Sequence, residues 1–224
     1  MQQIRIIFLF IGMLIMTTNL CHAQTISIGG TAGFNVQTIT GKNANGDKLN
    51  NKLVPRYALG IVVPISLAPS FCIQPGALYI TKGADSENGN TKTNLSYLEI
   101  PLNLIYKPSF GGGNLLLGFG PYLSFGIGGK SKTTISEVVI DRDIEYQKSV
   151  SELDFLNPSK VFFAPTDAGV NLLAGYEFAN GFSFQFNAQL GLSEINPSVT
   201  GISTDKTSLK NTGFGVSIGY TIKR

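Results

Sequence analysis

Between residues 182 and 192 the chain alternates without a break. Phe182, Phe184, Phe186, Ala188, Leu190 and Leu192 are apolar, and Ser183, Gln185, Asn187, Gln189 and Gly191 stand between them. Side chains on a strand point to opposite faces with a period of two, so the segment predicts a β-strand with one greasy and one polar face. The same alternation marks residues 25–36, 57–67, 71–81, 95–107, 114–128, 167–178 and 211–222. In the first of these, Ile26, Ile28, Ala32, Phe34 and Val36 oppose Ser27, Gly29, Thr31, Gly33 and Asn35. In the second, Tyr57, Leu59, Ile61, Val63, Ile65 and Leu67 share a face. In the fourth, Leu98, Ile100, Leu102, Leu104 and Tyr106 oppose Tyr97, Glu99 and Asn103. Glycine and serine fill much of the polar phase, which suits the inside of a narrow barrel whose apolar phase meets lipid. The predicted fold is all-β, an eight-stranded antiparallel up-and-down transmembrane β-barrel.

Connection lengths orient this barrel. Long loops at about 40–53, 83–93, 129–166 and 194–209 alternate with short turns at 68–70, 108–113 and 179–181. Outer-membrane barrels keep short turns in the periplasm and long loops outside, which places both termini in the periplasm. Phe71, Tyr106, Phe178, Phe182 and Tyr220 then fall in the lipid phase near the short turns, and Phe34, Tyr57, Tyr79 and Phe125 near the long loops, forming two aromatic girdles. Residues 133–140 and 144–150 in the longest loop are β-prone and flank Asp141-Arg142-Asp143, which predicts a hairpin continuing strands five and six. Pro64, Pro75, Pro101 and Pro121 lie within predicted strands and predict bulges, because proline cannot donate to a ladder.

The first 23 residues read as a signal peptide. Arg5 precedes the uncharged run 6–16, which is shorter than the roughly 20 residues a spanning helix needs, and Cys21-His22-Ala23 suits cleavage near Ala23. Removing this leader removes His22 and Cys21, and Cys72 remains as a small lumen-phase residue without a disulfide partner. The domain from 24 to 224 then has no histidine to serve as a catalytic base or metal ligand, so no enzyme activity, metal or cofactor is expected. Taking Arg5 from the 17 basic residues leaves 16 against 14 acidic, a net of +2 with no basic run, so nucleic acid is not an expected partner.

Candidate functional residues are those the alternation assigns to the lumen: Arg56, Gln74, Lys82, Glu99, Asn103, Lys107 and Glu177, with Asn171, Gln185, Asn187 and Gln189 beside them. Charges buried there must be paired, and the expected pairs are Glu99 with Arg56 or Lys82, and Lys107 with Glu177. Such a network either binds a ligand or proton, or fills the lumen and satisfies itself. The second reading is favoured, because eight strands enclose only enough room for side chains.

Three segments carry a resemblance: Ile73-Gln74-Pro75-Gly76-Ala77-Leu78-Tyr79, Tyr97-Leu98-Glu99-Ile100-Pro101-Leu102-Asn103-Leu104-Ile105-Tyr106-Lys107, and Gly118-Phe119-Gly120-Pro121-Tyr122-Leu123. With Asp167-Ala168-Gly169, Ala174-Gly175-Tyr176-Glu177 and residues 209–220, they resemble the PorT-like family of small outer-membrane β-barrels, which carry an outer membrane protein beta-barrel domain. The resemblance implies an eight-stranded barrel in the outer membrane of a Gram-negative bacterium and no established activity, a few members being tied to protein secretion or gliding. The expected role is structural or interactive: extracellular loops displayed above outer-membrane lipid, with an envelope or secretion protein as the partner. The alternatives are a small outer-membrane pore or ligand-binding barrel, and a soluble periplasmic lipocalin-like barrel that would bury the greasy phase.

Overall fold

In the computed structural model, which describes residues 25–155, 157, 159–200 and 206–222, the alternating segments are strands. They are β1 (Ile28–Lys42), β2 (Val54–Val62), β3 (Ile65–Ala68), β4 (Phe71–Asp85), β5 (Thr91–Tyr106), β6 (Ser109–Phe110), β7 (Gly113–Ile135), β8 (Val138–Tyr146), β9 (Ser149–Ser151), β10 (Val161–Phe163), β11 (Thr166–Glu177), β12 (Phe182–Gly191), β13 (Ser198–Thr200) and β14 (Ser208–Ile222). A short helix, α1 (Glu152–Phe155), follows β9. The leader read at 1–23, with its cleavage near Ala23, lies outside the described residues.

Antiparallel pairing runs from β1 to β2, β4, β5, β7, β11, β12 and β14, and β14 pairs back to β1. The ring closes. Eight strands form it, but the described residues hold fourteen, so the expected count fits the ring and not the chain. β3 resumes the course of β2 after Val63-Pro64 and also pairs with β4. β8, β9, β10 and β13 belong to the long connections.

Several strands outrun their predicted limits. β1 continues past 36 to Lys42 and β4 past 81 to Asp85. β7 extends to Ile135, inside the segment read as loop 129–166, and at 23 residues it is about twice the span of a membrane strand. Its hairpin turns at Ser136-Glu137, not at Asp141-Arg142-Asp143, and both turn residues have positive φ, 47° and 70°. Two such residues define the primed turn that matches strand twist, but Asn-Gly is its usual signature, so Ser-Glu gave no signal. β8 does not continue β11 either; its far edge takes β10 in parallel over Ile144–Tyr146.

Bulges were expected at the prolines, and the pairing shows something different. Register shifts occur between Ser66 and Ala68 and between Ser96 and Tyr97. At the prolines the register holds and the ladder skips. The β4–β5 ladder omits Gly76 and Ala77 against Ile100 and Pro101, and the β5–β7 ladder omits Leu102 and Asn103 against Gly120 and Pro121. Val63-Pro64 falls in the break between β2 and β3, opposite Pro75, whose carbonyl still accepts from the Val63 amide at 2.9 Å. A two-residue skip accommodates the missing donor without turning any side chain to the wrong face.

The two faces separate as the alternation requires. Phe34, Tyr57, Leu59, Ile61, Leu102, Phe119, Phe186 and Ile218 are exposed on the outer wall, while Gln37, Lys82, Glu99, Ser124, Asp167 and Asn211 are buried within it. A lipocalin-like arrangement has the opposite polarity, so that alternative is overturned. All nine girdle aromatics are exposed, and neighbours stack across strands: Phe71 on Tyr106 and Phe182 on Tyr220 with ring centroids 4.9 Å apart at the short-turn end, Tyr57 on Tyr79 at 6.0 Å near the long loops.

The polarity of β12 gives a direct test. Phe184→Arg puts a charge on the lipid face and should cost about 2–4 kcal/mol in vesicle refolding, whereas Gln185→Arg enters the polar lumen and should cost less. A greater loss at Gln185 would invert the assignment of faces.

Candidate functional site

The lumen has two levels. At the long-loop level β4, β5, β7 and β11 bring Lys82, Glu99, Ser124 and Asp167 together, each fully buried. The phase is set by the strands: Lys82 follows Leu78 and Ile80 on the inner face of β4, and Glu99 follows Tyr97 on β5. Lys82 Nζ lies 2.8 Å from Glu99 Oε2 and 2.9 Å from Asp167 Oδ2, and it sits 4.1 Å from the centroid of the Tyr122 ring. Glu99 also accepts from Ser124 Oγ at 2.9 Å and from Gln189 Nε2 at 2.7 Å. Asp167 accepts from Asn211 Nδ2 at 3.0 Å and from the Tyr122 hydroxyl at 3.4 Å. Gln189 Nε2 is also 3.0 Å from Asn171 Oδ1, joining β12 and β11 to the network.

Above this cluster the outer mouth is sealed. Ile39, Ile80, Ala84, Leu95 and Tyr97 from the wall pack with Ile144, Phe163 and Ile195 from the long connections. Ile195 is held by main chain on both sides, its carbonyl accepting from Ala164 and its amide donating to Leu209. Tyr146 joins the cap and donates to the carbonyl of Gly128 at 3.0 Å. Outside the barrel, Lys160 Nζ lies 2.8 Å from Glu145 Oε1, and that contact raises the lysine pKa.

The short-turn level is looser. Cys72, Ile105, Leu116 and Leu173 make a small apolar cluster, and Lys107 Nζ donates to Glu177 Oε2 at 2.8 Å beside them. On the facing wall the short groups Ser183, Ser217 and Gly219 stand beside Gln185 and Asn187, and a cavity of about 110 Å³ remains. The lumen is therefore not filled along its length, contrary to the expectation from strand number, because Gly30, against which nothing packs, and short groups such as Ser183 and Ser217 leave space that larger side chains would occupy. This cavity reaches from Lys107 and Glu177 to Glu99 and Gln37 and includes neither Lys82 nor Asp167.

Of the residues singled out from sequence, Lys82 and Glu99 meet, as do Lys107 and Glu177. Gln74, Asn103, Asn171, Gln185, Asn187 and Gln189 line the cavity. Arg56 does not reach Glu99; its guanidinium donates to the carbonyls of Lys82 at 3.2 Å and Thr93 at 2.8 Å, tying β2 to β4 and β5 near the rim. Asp167, Ser124 and Gln37 were missed. Asp167 stood at the very start of its predicted strand, and Gln37 one position past the predicted end of another. Their signal was parity: Asp167 shares its phase with Asn171, and Gln37 with Asn35.

These features, a closed antiparallel ring with an apolar outer wall, aromatic girdles and a polar lumen, define a transmembrane β-barrel. The family model for the outer membrane protein beta-barrel domain matches residues 22–196, and the chain belongs to that family, which places it in the outer membrane. Among solved structures, the chain is similar to Neisserial surface protein A (9% identity, covering 89% of this chain and 99% of that one, TM-score 0.44). It is also similar to a major outer membrane protein of Thermus thermophilus (13%, 90% and 100%, TM-score 0.45) and to Ail, the attachment invasion locus protein of Yersinia pestis (10%, 88% and 98%, TM-score 0.41). No curated protein matches the chain.

The two ion-pair sites should differ in weight. Lys82→Met strands two carboxylates in a dry core and should cost about 3–5 kcal/mol in urea unfolding from vesicles. Lys107→Met should cost less, since the Lys107 side chain is 23% exposed and water can replace it. Equal losses would show that the Lys82 cluster is hydrated.

Proposed function

We propose that this protein is a non-enzymatic, eight-stranded outer-membrane barrel of a Gram-negative bacterium, of the PorT-like kind, exported by a leader cleaved near Ala23. Its role is to present a structured outer surface to an envelope or secretion partner. The observation that carries this reading is the β7–β8 hairpin. It continues well past Phe125 of the girdle, and its tip displays Ile135, Val138, Val139 and Ile140, each 41–62% exposed. Apolar groups held out in water on an ordered element suit a protein contact. Lys132 and Asp141 pair across the hairpin at 3.4 Å, and Arg142 donates to Thr133 Oγ1 at 2.6 Å, which supports its order.

A second reading, a ligand-binding barrel, is supported by the lumen cavity. A pore draws no support, because the apolar cap closes the long-loop end.

Replacing residues 133–140 with a short Asn-Gly turn should leave folding and membrane insertion intact, since Ile144 and Tyr146 of the cap are retained and loop length weighs little in closure entropy. Capture of envelope partners by the full-length barrel should be lost in the shortened one. Unchanged capture would move the contact to the periplasmic turns. In planar bilayers the intact barrel should give no steady conductance, and a stable open level would restore the pore reading.

A further inference from the structure

The β7–β8 hairpin has an open edge. β8 pairs with β7 over 138–143, and β10 takes the other edge of β8 only over 144–146. Among the described residues, no strand lies against 138–143 on that side.

The turn decides which groups that edge offers. A two-residue primed turn at Ser136-Glu137 makes Ile135 and Val138 a mutually hydrogen-bonded pair, so Thr133 with Ile140 and Ser131 with Arg142 are bonded in the same way. The residues between them turn their amides and carbonyls away from the ladder. Two bonds outside it have the same phase: the amide of Thr134, which stands opposite Val139, donates to the Asn90 carbonyl at 2.7 Å, and the Gln147 amide donates to the Phe163 carbonyl at 2.8 Å on the β10 side. Val139, Asp141 and Asp143 therefore present a row of donors and acceptors with no strand beside it.

An extended main chain matches the spacing of such a row. A second copy in the same membrane does not. Wall strands tilt by about 35–45°, and rotation about the membrane normal keeps that tilt, so two β8 edges never come together antiparallel. Side by side in parallel and in symmetric register, the outward-turned residues of the two copies would stand level, whereas a parallel ladder bonds each residue to the two that flank its neighbour. The side chains define the rest of the chemistry. Val139, Asp141 and Asp143 are exposed on one face of β8, and Val138 and Ile140 on the other. Asp141 meets Lys132 at 3.4 Å with both side chains more than half exposed, and Asp143 lies in no ion pair among the described residues.

We propose that this edge takes up an extended segment of another protein as an added strand, basic on the face that meets Asp141 and Asp143 and apolar on the face beside Val138 and Ile140. The inference rests on the hairpin being the presented surface, and it specifies the partner's chemistry.

The test uses the full-length barrel in zwitterionic micelles and three fluorescent hexapeptides: alternating valine and lysine, the same peptide N-methylated throughout, and alternating valine and glutamate. The valine-lysine peptide should bind saturably, and the other two should bind about tenfold more weakly or worse. Val139→Pro removes an edge donor and leaves the β7 ladder whole, so it should weaken the valine-lysine peptide by about tenfold. Asp143→Lys should narrow the preference for lysine over glutamate. If Val139→Pro disturbs the hairpin, the N-methylated peptide on the unaltered barrel decides. The proposal is overturned if the valine-lysine peptide does not saturate, if N-methylation leaves its affinity unchanged, or if the barrel associates with itself through this edge, which would make the occupant a second copy. Loss of partner capture on removal of 133–140 without any peptide binding would strike strand addition alone and leave the hairpin as the presented surface.

Discussion

Hydrocarbon offers no partner to a backbone amide, so every group on the wall of this protein must find one within the wall. The contact that makes this possible is the ladder between the first and last strands of the ring, fifteen consecutive pairs from Ile28 with Ile222 to Lys42 with Ser208. Without it two edges would face lipid. With it, the pleat fixes which side chains look outward, and the greasy exterior, the girdles and the polar lumen all follow from that one choice of face.

The interior is then a problem of filling a tube. Near the long loops it is solved with large groups, Lys82, Tyr97 and Tyr122 among them, held by ion pairs and capped by Ile144, Phe163 and Ile195. Near the short turns the facing wall carries shorter groups, Ser183, Ser217 and Gly219 among them, and space is left. The barrel is asymmetric along its axis: dry and locked toward the outside, roomier toward the periplasm. Such a body suits display at its outer end better than conduction.

The alternation made the fold legible, because lipid enforces it on every spanning strand. It could not show where the strands stop. Past the register shift that leaves Ile127 unpaired, the phase of β7 inverts, so that Lys130 and Lys132 are exposed and Ser131 is buried, and the period breaks in the sequence while the ladder goes on to Ile135. The turn at Ser136-Glu137 was invisible because its residues lack the usual glycine. Within the site, parity alone placed Lys82, Glu99, Lys107 and Glu177 on the inner face, but which charge meets which depends on stagger between strands, and that is set by the turns. Arg56 shows the limit: its phase is inward, yet its length carries it to the rim carbonyls. Ile195 lies in a loop, where no period marks a residue as core.

The prolines leave one more mark on the molecule. The ladders joining β7, β11, β12, β14 and β1 run without a skip, while those joining β2, β4, β5 and β7 are each interrupted where Pro64, Pro75, Pro101 and Pro121 step across neighbouring staves. The wall is thus tied by unbroken ladders on one side and by interrupted ones on the other. Each skip leaves two residue pairs without ladder bonds, so a lateral load on the tube meets fewer cross-strand ties along that proline line than along the opposite staves.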